Sequence, residues 1–298
     1  MNTHAHHHHA PANHGRAFLI GIGLNSAFIL VEVIYGFYAH SLALLADAGH
    51  NASDVLGLCM AWGATLLARR PSSARFTYGL QSASIYAAFA NALLLIIVVA
   101  GLGWEALQRM AAPEAPAAGT VMVVAAIGVA INGFTAWLFH GDSHDLNRRG
   151  AFLHMAADAL ISLGVVLSAL VFTYTGWLWL DPLVSLVIVV FIIASSWRLL
   201  KDSTSLALHA VPADIDADAV RAYLAQLPGV REVHDLHIWA MSTTHVALST
   251  HLIMPGGHPG DAFIHDVTHA LEERFHINHA TIQIEIGGGH CHTGCDHE

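Results

Sequence analysis

The stretch "LLADAGHNASD", Leu44 to Asp54, sets Asp47, His50, Asn51 and Asp54 inside one of the most apolar parts of the chain. In a helix the intervals of three and four place Asp47, His50 and Asp54 on one side, with neighbouring Cβ atoms about 5–6 Å apart. Ionisable groups at membrane depth are costly and are retained where they have a task. The surrounding residues argue for membrane depth. The 298 residues are 55% hydrophobic and 11% charged, with mean hydropathy +0.53. A soluble domain averages about 25% charged residues. Six apolar runs, near 17–38, 42–67, 83–107, 120–139, 152–174 and 178–200, reach the roughly 20 residues that a membrane-spanning helix needs. The last contains Asp181-Pro182, a helix-start signal with proline just inside.

Six spans return both termini to one side of the bilayer. The loops and ends on that side carry Arg16, Arg69, Arg70, Arg75, Arg148, Arg149, Arg198 and Lys201, whereas the opposite loops carry Arg109 alone. Positive charge marks the cytoplasmic side, so both termini are expected there. No cleavable leader is expected, because the first fifteen residues are polar and His-rich. Short loops suggest a bacterial inner membrane.

Beyond Asp202 the character changes. Residues 1–201 carry nine acidic and nine basic side chains, while 202–298 carry thirteen acidic and three basic, the source of the net charge of −10. An acidic, His-rich domain attracts cations and repels nucleic acid. Its pattern reads as helix "IDADAVRAYLAQL", strands "GVREVHDLHIWAM" and "HVALSTHLIM", helix "PGDAFIHDVTHALEERF" and strand "HATIQIEI". The order αββαβ predicts a small sheet with helices on one face. The expected division is a His-rich cytoplasmic tail over 1–16, a six-helix membrane domain over 17–201, an α+β cytoplasmic domain over 202–287 and a His/Cys-rich tail over 288–298. Cys59 lies in the second run and Cys291 and Cys295 lie in the last tail, a pattern closer to metal binding than to a structural disulfide.

The motif of the second run recurs. "AFLHMAAD" supplies His154 and Asp158, again His-x-x-x-Asp within an apolar span. If the two faces meet, two imidazoles and two carboxylates form a four-ligand tetrahedral set suited to Zn²⁺. A lone His-x-x-x-Asp is compatible with structural pairing; two copies in so uncharged a sequence favour a metal site. Asp47 stands second to these four: it tunes the site, lines the access path or carries protons. Asn25, Asn91 and Asn132 read as interhelical hydrogen-bonding groups. Glu32 is a buried acid suited to carrying protons, and glycines 21, 23, 36, 57 and 63 are read as allowing close helix packing.

"SLALLADAGHNASDVLG", "RRGAFLHMAAD" and "HDLHIWAM" together resemble the cation diffusion facilitator family of metal transporters, in its zinc-exporting branch, over nearly the whole chain. The resemblance implies six spans followed by a ferredoxin-like cytoplasmic domain, a homodimer in the lipid bilayer, and export of Zn²⁺ against protons by alternating access. It assigns His50, Asp54, His154 and Asp158 to the transport site. In the soluble domain it assigns His234, His251 and Glu285, and with a one-residue offset His265, to zinc binding, making zinc both cargo and regulatory ligand. Gln283 replaces a ligand histidine of some members, leaving a mononuclear or a paired site open. A further site used by some members in the loop after the second span is expected to be absent, because "ARRPSSARFTYG" has neither Asp nor His. His237, at an odd offset from His234, is expected on the other side of its strand.

"HAHHHHAPANH" and "HCHTGCDHE" suggest metal capture by composition, and Asp142, His144 and Asp145 stand before the fifth span. Export of mainly Co²⁺, Ni²⁺ or Cd²⁺ is an alternative that affinity alone does not decide. From other classes come an intramembrane zinc hydrolase and a non-transporting metal sensor. Against the enzyme, there is no His-Glu-x-x-His, and four protein ligands leave no open position for water.

Overall fold

The computed structural model describes residues 14–68, 70–139 and 146–287. Both His-rich tails, together with Asp142, His144 and Asp145, lie outside the described residues. Six long helices come first: α1 (His14–Tyr38), α2 (Leu42–Ala68), α3 (Ala83–Ala111), α4 (Ala118–Phe139), α5 (Leu146–Thr175) and α6 (Leu180–Ala207). Among the described residues four stretches are long and apolar enough to cross a membrane: Ala83–Ala111, Ala118–Trp137, Phe152–Thr175 and Leu180–Ala207. Among the described residues α1 offers the apolar stretch Gly23–Tyr38.

The chain divides into two compact units. One holds the chain up to Cys59 together with Asn91–Trp197; the other holds Met60–Ala90 and everything from Arg198. In the first, polarity is inverted relative to a soluble protein. Phe37, Trp104, Trp137, Leu160 and Val187 face outward, whereas Glu32, Asp47, Asn132 and Asp158 are buried. That inversion suits helices solvated by hydrocarbon, whose polar groups face one another.

The start of α2 is built by α6. Ser41 Oγ accepts from Leu44 N at 3.2 Å, an N-cap, and donates to Asp181 Oδ1 at 2.5 Å. Leu42 N donates to Asp181 Oδ2 at 2.8 Å, and Ser185 Oγ donates to the Leu42 carbonyl at 3.1 Å. The buried Asp181 carboxylate thus faces the positive end of the α2 dipole. Arg109 Nη1 donates to the His40 carbonyl at 2.7 Å in the turn leading into α2.

Close packing falls on only some of the expected glycines. A Cβ at Gly36 would sit 2.7 Å from Leu45 Cδ2, and one at Gly57 would sit 3.1 Å from Asn91 Nδ2. Gly23 and Gly63 have open space on that side, with nothing within 4 Å among the described residues. An equally tight approach is at Gly128, where α4 meets α1: a Cβ there would be 2.7 Å from Phe28 Cζ.

In the second unit the expected order αββαβ is present: α7 (Ala217–Ala225), β1 (Glu232–Ala240), β2 (Val246–Ile253), α8 (Asp261–Phe275) and β3 (His279–Glu285). Asp216 caps α7 by accepting from Asp218 N and Ala219 N. The sheet order is β1-β2-β3, with β1 antiparallel and β3 parallel to β2. This is a ferredoxin-like arrangement without its first strand, so the strand after α8 pairs directly with β2. Val220, Leu224, Val267 and Leu271 of the helices pack on Val233, Ile238, Leu248 and Leu252 of one sheet face. The same unit includes the start of α3. Ser82 Oγ donates to the Met241 carbonyl and Thr243 N donates to Ser84 Oγ, both at 3.1 Å, at the β1–β2 turn.

The expectation for His237 is corrected. His234 pairs with His251 but His237 pairs with Ser249, so β1 holds one more residue than β2 across that interval. This β-bulge has Asp235 at φ 51°, and it reverses the alternation of side chains. His234 and His237 therefore share the sheet face opposite the core.

Candidate metal sites

α2 and α5 each present a histidine and, four residues later, an aspartate. The four groups pair crosswise between the helices. His50 Nε2 lies 3.0 Å from Asp158 Oδ1, and His154 Nε2 lies 3.1 Å from Asp54 Oδ2. His154 Nε2 is also 3.7 Å from Asp158 Oδ2. Ligands about 2.0–2.2 Å from a tetrahedral Zn²⁺ stand roughly 3.3–3.5 Å apart, so these separations suit one ion. Ligand atoms of His50, Asp54 and Asp158 lie within 4.8 Å of one another; His154 is outside that tighter trio. The imidazoles are 6.2 Å apart at 71°, and Phe191 of α6 packs edge-on to His50 at 6.4 Å.

Burial splits the quartet. The Asp158 and His50 side chains are 1% and 11% exposed, against 31% for Asp54 and 44% for His154. Asp54 Oδ2 and Asp158 Oδ2 are buried without a hydrogen-bond partner, although each lies near the His154 ring. Carboxylate oxygens directed at imidazole nitrogens without hydrogen-bond geometry form a donor set open to a cation. Asp47 points elsewhere: its Oδ2 accepts from Ser162 Oγ of α5 at 2.7 Å. Asn51 Nδ2 donates to Glu32 Oε2 at 3.1 Å.

A second group lies on the open sheet face. His234 Nε2 is 3.1 Å from Glu285 Oε2, and His251 Nδ1 is 3.0 Å from Glu285 Oε1. Ligand atoms of these three residues lie within 4.8 Å of one another. His251 Nδ1 has no hydrogen-bond partner. Gln283 Nε2 donates to Glu285 Oε1 at 3.0 Å, supporting the carboxylate. His265 is not brought into this trio; it is exposed on α8, its ring 6.3 Å from that of His269.

Asp235 was missed by reading the sequence. Its Oδ1 lies 2.9 Å from His237 Nε2 and its Oδ2 lies 3.6 Å from His251 Nε2. A carboxylate behind a ligating imidazole fixes which ring nitrogen faces a metal. Its place between two histidines in "HDLH" was the available signal, but only the bulge turns it toward them.

A helical unit that is apolar outside, with crossed His–Asp pairs inside, joined to a small sheet bearing His and Glu, defines a membrane protein built to handle metal cations. Residues 18–206 match the cation efflux transmembrane domain, and residues 212–286 match the cytoplasmic domain of cation efflux proteins. The chain belongs to the cation efflux family. It is 37% identical over 300 residues to the zinc transporter ZitB of Escherichia coli, covering 97% of this chain and 96% of that one. It is 34% identical to the metal cation efflux system protein CzcD of Cupriavidus metallidurans, covering 94% and 90%. It is 32% identical to the cadmium, cobalt and zinc/H⁺-K⁺ antiporter of Bacillus velezensis, covering 94% and 91%.

Proposed function

We propose that this protein exports Zn²⁺ from the cytoplasm across a bacterial inner membrane in exchange for protons. It works as a homodimer, with six spans over 17–201, the cytoplasmic domain over 202–287 and both termini in the cytoplasm. The observation that carries the reading is the crossed pairing of His50 with Asp158 and His154 with Asp54 inside an apolar helical unit. The four residues are the transport site: two neutral imidazoles and two carboxylates suit zinc. Metal needs these groups deprotonated, so taking up the ion displaces protons and releasing it invites them back. Relatives named as a zinc transporter and a zinc/H⁺-K⁺ antiporter support the cargo and the coupling.

His234, His251 and Glu285 form a regulatory zinc site in the cytoplasmic domain. Gln283 donates to Glu285 and adds no imidazole, which favours one ion per protomer there. A wider cargo including cadmium and cobalt is the second reading, favoured by the name of the Bacillus relative.

The test is purified protein in liposomes loaded with a zinc dye. An imposed pH gradient drives zinc flux in the wild type, and Asp54→Ala and Asp158→Ala abolish it. Absence of pH-driven flux in the wild type, or its survival in both variants, overturns the reading. Competing cadmium or cobalt flux ranks the cargoes.

A further inference from the structure

A second polar cluster stands one helical turn from the transport quartet and takes no part in it. Glu32 of α1, Asp47 and Asn51 of α2 and Ser162 of α5 are each at most 3% exposed. Asn51 and Ser162 donate to Glu32 and Asp47 respectively. Asn51 lies one helical turn after Asp47, so its bond to Glu32 brings the two carboxyl groups into one buried patch. Among the described residues no basic side chain pairs with either, and two carboxyl groups this deeply buried in an apolar unit cannot both stay ionised, so one proton is required. Three further oxygens, Glu32 Oε1, Asp47 Oδ1 and Asn51 Oδ1, receive no donor among the described residues. The cluster is therefore rich in acceptors and short of donors, in a setting where an unsatisfied buried acceptor is costly.

We propose that Glu32 and Asp47 are a carboxyl pair holding one shared proton, and that this proton is one of those exchanged for the metal. The inference rests on the reading of the chain as a proton-coupled exporter. The pair is placed for coupling on both helices of the quartet. Asp47 precedes His50 by three residues, and its partner Ser162 follows Asp158 by four. The ionisable groups facing the pair are His50 on α2 and Asp158 on α5, with Asp54 and His154 beyond them. α1 contributes Glu32 itself, and α4, packed on α1 and α5, has no ionisable residue. A dication entering the quartet favours ionisation of the pair. The O–H bond breaks, the proton leaves to water on the cytoplasmic side, and two carboxylates remain beside the metal. When the ion departs outward, the pair takes a proton from the outer side. One proton moves in for each metal ion moved out, in addition to those titrating on the quartet.

The test is a balance-point measurement on the full chain in liposomes, with membrane voltage held at zero. An opposing zinc gradient is raised until net flux stops under a pH gradient of about one unit. Each coupled proton contributes about tenfold to that balancing zinc ratio. Glu32→Gln, which is neutral and of the same shape, is expected to lower the ratio tenfold. Asp47→Asn is expected to do the same, and the double variant to lower it tenfold, not a hundredfold, because the proton is shared. An unchanged ratio in Glu32→Gln overturns the proposal, and a hundredfold drop in the double variant overturns the sharing. Failure of both single variants to fold, or folded variants without flux, assigns the cluster a structural role and also overturns it. A wild type without pH-driven flux defeats the exporter reading instead.

Discussion

Asp181→Ala tests the idea that α6 holds α2 in place. The Asp181 carboxylate accepts from Ser41 Oγ at 2.5 Å and Leu42 N at 2.8 Å, and both donors belong to buried residues. Hydrogen bonds to a charged group contribute about 1.5–3 kcal/mol each. Alanine leaves both donors unsatisfied and removes the charge opposite the α2 dipole, an effect of about 0.3–1 kcal/mol. The expected loss is about 3–7 kcal/mol. At roughly 2–4 °C per kcal/mol, thermal unfolding in detergent falls by about 6–28 °C. Asp181→Asn keeps one acceptor and should fall about half as far. Ser185→Ala, which removes only a donor to the Leu42 carbonyl, should lose about 1 kcal/mol. An Asp181→Ala protein melting within about 2 °C of the wild type would refute the anchoring, because the bonds would then have negligible net worth. Asparagine falling as far as alanine would refute the assignment of the loss to two separate donors.

Packing at Gly128 predicts that Gly128→Ala costs about 1–3 kcal/mol by displacing Phe28, whereas Gly23→Ala, facing open space, is neutral or stabilising; melting curves in detergent compare the two. Asp235→Gly should keep the bulge, because glycine adopts φ 51° without strain, and Asp235→Val should lower hydrogen-exchange protection across β1 and β2. His251→Ala and Glu285→Gln should each weaken one zinc equivalent tenfold or more in chelator competition, about the scale of losing even a supporting residue. Equal zinc titrations for wild type and both variants would remove the cytoplasmic trio from consideration.

What the sequence made legible follows from periodicity. Six apolar runs and the αββαβ order were readable because helix and strand patterns persist over many residues. The spacing of His50 to Asp54 and of His154 to Asp158 put each pair on one helix face. It could not reveal that the pairs would cross between helices, since that depends on how α2 and α5 pack. His237 was misplaced because a single extra residue in β1 inverts every later side chain, and "HDLH" has no glycine to mark the bulge. Gly128 was overlooked because glycine is common in membrane helices and only the approach of Phe28 distinguishes it. Asp47 shares the helix face of His50 and Asp54 by spacing, and only the packing of α5 shows that Ser162 engages it.

The uneven exposure of the quartet bears on how fast an ion can leave. Stripping four ligands from zinc in one event would present a prohibitive kinetic barrier. With Asp54 and His154 accessible and His50 and Asp158 enclosed, water can replace ligands one at a time, beginning at the open pair. An ion held here would pass through a half-hydrated state gripped by the enclosed pair alone. Turnover would then be governed by how readily a cation exchanges its inner water. If the quartet carries the cargo as proposed, it would favour labile ions such as Zn²⁺ and Cd²⁺ over slowly exchanging Ni²⁺, a selection by rate that no ranking of affinities would reveal.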